Sequence, residues 1–220
     1  MLLRLLAGIA AALFAAVLYV WWNFWPVNVP LRAATNGGWE ELLRERIKLP
    51  EGHDFTVFAR DLGSPRLMQM TAEGDLIVSG YQAGTILLVR RDGDGDGRSD
   101  GTEVLKDGLQ LPHGLLLEGD NLIVAEAHRV VSFPFASGKL GEVRVLLQGL
   151  PEDGGHASRT VKRGPDGFLY VSIGSSCNAC LEQDERRATI MRMQPDGSQR
   201  EIYATGLRNS VGLDWAPWDS

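Results

Sequence analysis

From Pro50 onward, short apolar runs alternate with breaks of Gly, Asp and Pro. Three of these runs can be laid over one another: Gly74-Asp75-Leu76-Ile77-Val78-Ser79, Asp120-Asn121-Leu122-Ile123-Val124-Ala125 and Gly167-Phe168-Leu169-Tyr170-Val171-Ser172. Leu76, Leu122 and Leu169 correspond, at offsets of 46 and 47 residues. Each run follows a polar turn and precedes a second apolar strand: Thr85 to Val89, Arg129 to Phe133 and, after a longer insertion, Thr189 to Met193. Upstream of each lies another apolar segment: Arg66 to Met70, Gly114 to Leu117 and Thr160 to Lys162. The clearest hairpin runs from Val161 to Val171 across Gly164-Pro165-Asp166-Gly167. A period near 45 with about four short strands per repeat is the mark of a β-propeller blade. Helical repeats of that length need long apolar stripes at 3.6-residue spacing, and none is found. The pattern predicts an all-β, partial β-propeller of about three blades, with Tyr203 to Trp215 starting a fourth. A propeller removes its sheet edges by closing a ring, and three and a fraction blades leave it open. The sequence therefore reads as the N-terminal part of a longer protein, or as a truncated product.

The N-terminal end has a different texture. Leu5 to Trp22 is 18 residues without a charge, near the lower limit for a membrane-crossing helix. Arg4 before it and Trp21, Trp22 and Trp25 around its end suit an anchor with its N-terminus in the cytoplasm. A cleaved signal peptide would place small residues after the apolar run, where this chain has Trp21-Trp22-Asn23-Phe24-Trp25. The expected organisation is an anchor over residues 1–25, a linker with one short helix (Trp39 to Ile47) over 26–48, and the propeller over 49–220. The globular part would then face the periplasmic side, or be secreted if the N-terminal segment is removed.

Composition sharpens this picture. Twenty-two basic against 28 acidic residues give a net charge of −6 and a pI near 5.3. Such a surface repels phosphate backbones, so nucleic acid is excluded as a partner. Twenty-six Gly and ten Pro supply the turns that many short strands need.

Asp92 to Glu103 reads DGDGDGRSDGTE. Asp92, Asp94 and Asp96 stand at positions 1, 3 and 5 of a twelve-residue loop, with Gly97 at the sharp turn. Arg98 offers a carbonyl at 7, Asp100 stands at 9 and Glu103 at 12. That is the full Asp-x-Asp-x-Asp-Gly-x5-Glu pattern of a Ca²⁺ loop. Five carboxylates in so short a stretch repel one another unless a hard cation sits among them. The flanks read as strands, so the expectation is a structural Ca²⁺ loop between blades.

At His156 the sequence resembles a known family. His156-Ala157-Ser158-Arg159 leading into Gly164-Pro165-Asp166-Gly167-Phe168-Leu169-Tyr170-Val171-Ser172-Ile173-Gly174 is similar to the glucose/sorbosone dehydrogenases. These are pyrroloquinoline quinone (PQQ) enzymes on a six-bladed propeller. Gly206-Leu207-Arg208-Asn209-Ser210-Val211-Gly212-Leu213 matches the family's Gly-x-Arg-Asn-x-x-Gly motif, and Leu111-Pro112-His113-Gly114-Leu115, after the acidic loop, is a further stretch similar to it. The resemblance spans roughly Leu49 to Ser220. It implies an oxidoreductase that oxidises aldoses or related sugars and passes electrons to a quinone or cytochrome. It implies His156 as the general base, a role suited to an imidazole. It implies Arg208 as the group stabilising negative charge on the quinone oxygens, Asn209 as a cofactor contact and His113 as a pocket-lining residue. It also implies that Ca²⁺ bridges the cofactor, with its carbonyl ligands from the segment after Arg208-Asn209 and further cationic contacts from later blades, all expected beyond Ser220. His53 and His128 carry no motif.

Cys177-Asn178-Ala179-Cys180 holds the only two cysteines. A zinc site would need two more ligands at matching spacing, and a redox pair is expected near a βαβ pattern. Outside the cytoplasm the pair reads instead as a disulfide clamping the loop beside the active site. Two other functions remain open on the sequence. One is a Ca²⁺-dependent propeller lactone hydrolase, for which Glu126 is the single acidic residue near the axis. The other is a propeller platform that binds without catalysis.

Overall fold

The computed structural model describes residues 39–216, and the run Leu5 to Trp22, expected to be an anchor, lies outside them. Among the described residues no helix is long and apolar enough to cross a membrane. The chain divides into two compact units, 1–55 and 56–220. In the first, Trp39–Arg46 forms α1, followed by an ion pair of Arg44 with Asp54 at 2.6 Å.

The second unit is built of three antiparallel sheets, each formed by consecutive strands. The first contains β1 (Pro65–Met70), β2 (Leu76–Gly80), β3 (Thr85–Val89) and β4 (Thr102–Lys106). The second contains β5 (Gly114–Glu118), β6 (Asn121–Ala125), β7 (Arg129–Ala136) and β9 (Arg144–Gln148), with the short β8 (Lys139–Leu140) extending the end of β7. The third contains β10 (Val161–Arg163), β11 (Leu169–Ile173), β12 (Thr189–Met193) and β13 (Glu201–Ala204). These are the expected blades. The repeat extends to a detail the apolar pattern does not carry. Each outermost pairing has a register shift at the same place, between Ile86 and Leu87, Val130 and Val131, and Ile190 and Met191. A bulge there strengthens the twist of the outer strand.

The second strand of each blade is apolar without alternation because both of its faces are covered. Along β2, Ile77 packs toward the second blade, while Val78 packs toward Phe58, Ala59 and Leu62. Along β6, Leu122 and Val124 face the first blade, and Ile123 and Ala125 face the third. The core therefore lies between blades. The inner strands β1, β5 and β10 stand side by side, and polar links join them. Ser79 Oγ donates to the carbonyl of His113 at 2.9 Å, and Arg163 pairs with Glu118.

Two expectations need correction. Tyr203 does not begin a fourth blade, because it lies in β13, the outer strand of the third. Residues 205–216 contain no strand. They cross back to the inner side, where Thr160 Oγ1 donates to Val211 O at 2.6 Å, and Val211 to Trp215 with the inner strands line a cavity of about 470 Å³. The acidic loop, in turn, does not join two blades. It connects β3 to β4 inside the first.

Candidate functional site

His156 lies on the segment that leads into β10, and that segment is held from below by a buried arginine. Arg159 is the largest fully buried side chain. Its Nη1 donates to the carbonyls of His156 (3.0 Å) and Ser158 (3.1 Å), and its Nη2 to that of Pro151. Among the described residues it forms no ion pair with a carboxylate. Burial above all, with Arg187 nearby, pulls its guanidinium down to about 10. A buried cation is costly unless its protons are taken up, and here backbone carbonyls take those of Nη1 and Nη2, while Nε is buried without a partner. Arg187, also buried, pairs with Asp153 on the same segment.

The head of the segment is fixed from the β11 side. Gly155 N donates to Ser176 O at 2.7 Å. Gly154 has φ +92°, and a Cβ there would sit 2.5 Å from Ser176 O, so glycine alone fits. Gly174, at the end of β11, is needed for a related reason. A Cβ there would meet His156 Cβ at 2.5 Å and His156 O at 2.6 Å.

The imidazole of His156 is half-buried. Its Nδ1 lies 3.0 Å from both Ser175 O and Ser175 Oγ. Ser175 Oγ donates to Cys177 O at 2.6 Å, and Ser175 N donates to Arg208 O at 2.7 Å. Cys177 and Cys180 are joined by a disulfide. Between them Asn178 accepts a hydrogen bond from Arg208 Nη2 through its Oδ1. Asn209 is half-buried, with Oδ1 3.4 Å from Ser158 Oγ. Beside His156 a cavity of about 200 Å³ is lined by Ser175, the disulfide loop, Glu182 and Arg208. The structure thus gathers His156, Arg208, Asn209 and the cysteine pair at one end of the third blade, although 52 residues separate His156 from Arg208. Sequence reasoning missed Ser175, Asn178 and Arg159. Their signal was present in polar residues immediately after a buried strand and in the last position of His156-Ala157-Ser158-Arg159.

His113 is not part of this cluster. It is buried at 4% exposure where the three blades meet. Its Nδ1 is 2.9 Å from Arg159 O, and its ring stands edge-on to Tyr81 at 6.1 Å. It does not line the cavity beside Arg208. The hydrogen bond to Arg159 O ties the second blade to the third. Glu126 is likewise engaged: fully buried, it accepts from Arg129 Nε at 2.6 Å and Gln110 N at 2.7 Å.

In the acidic loop, Asp92, Asp94 and Asp100 bring carboxylate oxygens within 4.8 Å of one another. Gly97 takes φ +83° at the sharp turn. Its N–H is the main cause holding the Asp92 carboxyl below the usual range, at a hydrogen bond of 2.8 Å. Asp96 turns its Oδ1 to Arg98 N at 2.7 Å. Glu103 is not gathered in. It lies in β4, opposite Leu88, and pairs with Arg90 at 2.7 Å. The strand pairing that closes the blade takes it away from the position the linear pattern assigns.

Blades of antiparallel strands packed face to face through apolar cores, with a polar cluster at their loops, define a β-propeller protein. The chain belongs to the TrAA12-like family, which it matches over residues 47–220. No curated protein matches it. Among solved structures it is similar to the PQQ domain of pyranose dehydrogenase from Coprinopsis cinerea in its holo form. That match has 20% identity over 69% of this chain and 37% of that one, at a TM-score of 0.54. It is also similar to the calcium structure of a carbohydrate-active family AA12 enzyme from Trichoderma reesei, with 19% identity, 68% and 39% covered and a TM-score of 0.56. A third is the PQQ-bound aldose sugar dehydrogenase from Streptomyces coelicolor, with 26% identity, 64% and 48% covered and a TM-score of 0.50. The chain spans less than half the length of each.

Proposed function

We propose that this chain carries part of the active site of a PQQ-dependent oxidoreductase acting on aldoses or related sugars. The observation that carries this reading is the cluster of His156, Arg208 and Asn209, joined through Ser175, in a chain of the TrAA12-like family. The residues present suit the cofactor's chemistry. PQQ is planar, anionic and rich in oxygen; the exposed guanidinium of Arg208 lines the cavity next to Ser175, and the half-buried amide of Asn209 follows it in the chain. When bound, PQQ supplies the acceptor for a hydride. His156 takes the proton of the sugar hydroxyl at Nε2, which carries no hydrogen bond from the described residues. Arg208 would place positive charge against the cofactor oxygens, and Asn209 would hydrogen-bond them.

The test is dye reduction by the protein with Ca²⁺, PQQ and a panel of aldoses. Replacing His156 by Ala should lower kcat/KM by about 10²–10⁴-fold, the usual worth of a positioned base. Lactone hydrolysis in the absence of PQQ would overturn the reading in favour of a propeller hydrolase. The engagement of Glu126 by Arg129 and Gln110 weighs against that alternative.

The proposal extends to two further parts. Ca²⁺ binds the β3–β4 loop through Asp92, Asp94 and Asp100, supported by the sequence pattern and by the convergence of those three carboxylates. The run Leu5 to Trp22 anchors the chain with its globular part outside the cytoplasm, supported by its length, its flanking tryptophans and the Cys177–Cys180 disulfide. Alkaline washing of membranes should leave an anchored chain in the pellet; release into the wash would refute the anchor.

A further inference from the structure

Ser175 stands where the parts of the site meet, and its protons can be followed one by one. Its hydroxyl has a single proton, donated to Cys177 O at 2.6 Å. The same oxygen, 3.0 Å from His156 Nδ1, can then only accept. The Ser175 carbonyl, also at 3.0 Å, has only lone pairs to offer. Both partners therefore require the proton of the neutral imidazole on Nδ1, which leaves the lone pair on Nε2.

We infer that Ser175 is the positioning residue of His156, and that the Cys177–Cys180 disulfide biases the histidine's tautomer toward Nδ1–H by fixing the carbonyl that takes the Ser175 proton. This rests on the reading of His156 as the base. The loop that holds Cys177 O also holds Asn178, the acceptor for Arg208 Nη2, while Ser175 N donates to Arg208 O. One disulfide-closed loop of four residues thus orients both the base and the cation. When the loop is opened, Cys177 O is no longer held against the hydroxyl. The Ser175 proton is then free to turn toward Nδ1, which shifts the ring's own proton to Nε2, and a ring protonated there has no lone pair at Nε2 to take the substrate's proton. Opening by dithiothreitol is balanced: two electrons and two protons pass to the disulfide, two thiols form, and the reductant closes to its own cyclic disulfide.

The test reads the ring nitrogens directly and needs no cofactor. The chain is labelled with ¹⁵N and long-range H–N spectra of its four histidines are recorded, with His156→Gln identifying the His156 signals. In the oxidised protein His156 should show one neutral tautomer, protonated at Nδ1. Dithiothreitol should convert it to a mixture of tautomers, as should the Cys177→Ser, Cys180→Ser double variant. In Ser175→Ala the ring keeps its proton on Nδ1, donated to the backbone carbonyl of residue 175, and the spectrum should no longer respond to dithiothreitol. Dispersed amide signals verify folding, and the reductant titration of the unmutated chain stands even where a variant does not fold. A His156 protonated at Nε2 in the oxidised protein, or a spectrum indifferent to the disulfide, overturns the inference. Failure of the base reading looks different: the tautomer result holds, while dye reduction is unchanged in His156→Ala.

Discussion

Gly174 and Gly154 let two backbone segments approach closely enough for His156 to reach Ser175. Arg159 binds three carbonyls of the same segment from beneath. His113 receives a different environment from the same motif logic that singled it out. Burial, above all, lowers its pKa from the ordinary 6.5, so the folded protein resists protonating it. The sign follows directly. Above 6.5 both states leave the ring neutral, and it adds no pH dependence. As the pH falls below 6.5 the unfolded chain takes up a proton that the folded chain refuses, so stability drops until the lowered folded pKa is passed. Urea midpoints measured from about pH 7 to about pH 5 should fall in the unmutated chain, and fall less steeply in His113→Gln. Equal slopes would mean that the buried ring contributes nothing to acid sensitivity.

At the scale of elements, the two loops that carry candidate chemistry are both insertions between paired strands. The loop from Gly174 to Ala188 joins β11 to β12 and holds the disulfide beside His156. The loop from Arg90 to Gly101 joins β3 to β4 and gathers three aspartates. The aspartate spacing was legible from the chain alone because each ligand lies within one turn of its neighbours. Glu103 was misplaced because its fate is decided by pairing with β3 and by Arg90, neither visible in the pattern. Ca²⁺ should raise the melting temperature of the chain. A site filled at one hundred times its Kd contributes about 2.7 kcal/mol. Asp92→Asn should abolish the shift, and identical melting in Ca²⁺ and in a chelator would exclude binding there.

At the scale of the whole molecule, stability resides in the faces between blades. Leu122, fully buried, packs in the cluster shared by the first and second blades. Leu122→Ala should cost about 2–5 kcal/mol, the range for a cavity in a packed core. Met70 on the inner strand is 69% exposed, and Met70→Ala should stay within about 0.5 kcal/mol. Denaturant midpoints compare the two directly, and equal losses would place the core elsewhere. The polar chain from Ser79 through His113 to Arg159 crosses all three blades. It links the first blade to the residue beneath His156, so the site rests on the stacking of blades as well as on its own loops.

The spacing of apolar runs determined the all-β repeat, the three blades and the strands within them. These depend on local alternation and burial, which leave a period in the chain. The motifs around His156 and Arg208 marked the third blade as the place of the candidate site, and the two cysteines marked its loop. Only the tertiary structure decided which of those residues meet. His156 and Arg208 come together through Ser175, His113 turns inward to Arg159, and Glu103 leaves the aspartates for Arg90. Each outcome depends on contacts between segments far apart in the chain or on strand register, and a linear pattern carries neither. The placement of Tyr203 has the same cause. An apolar run after a turn looks alike whether it closes one blade or opens the next, and pairing with β12 makes it the last strand of the third.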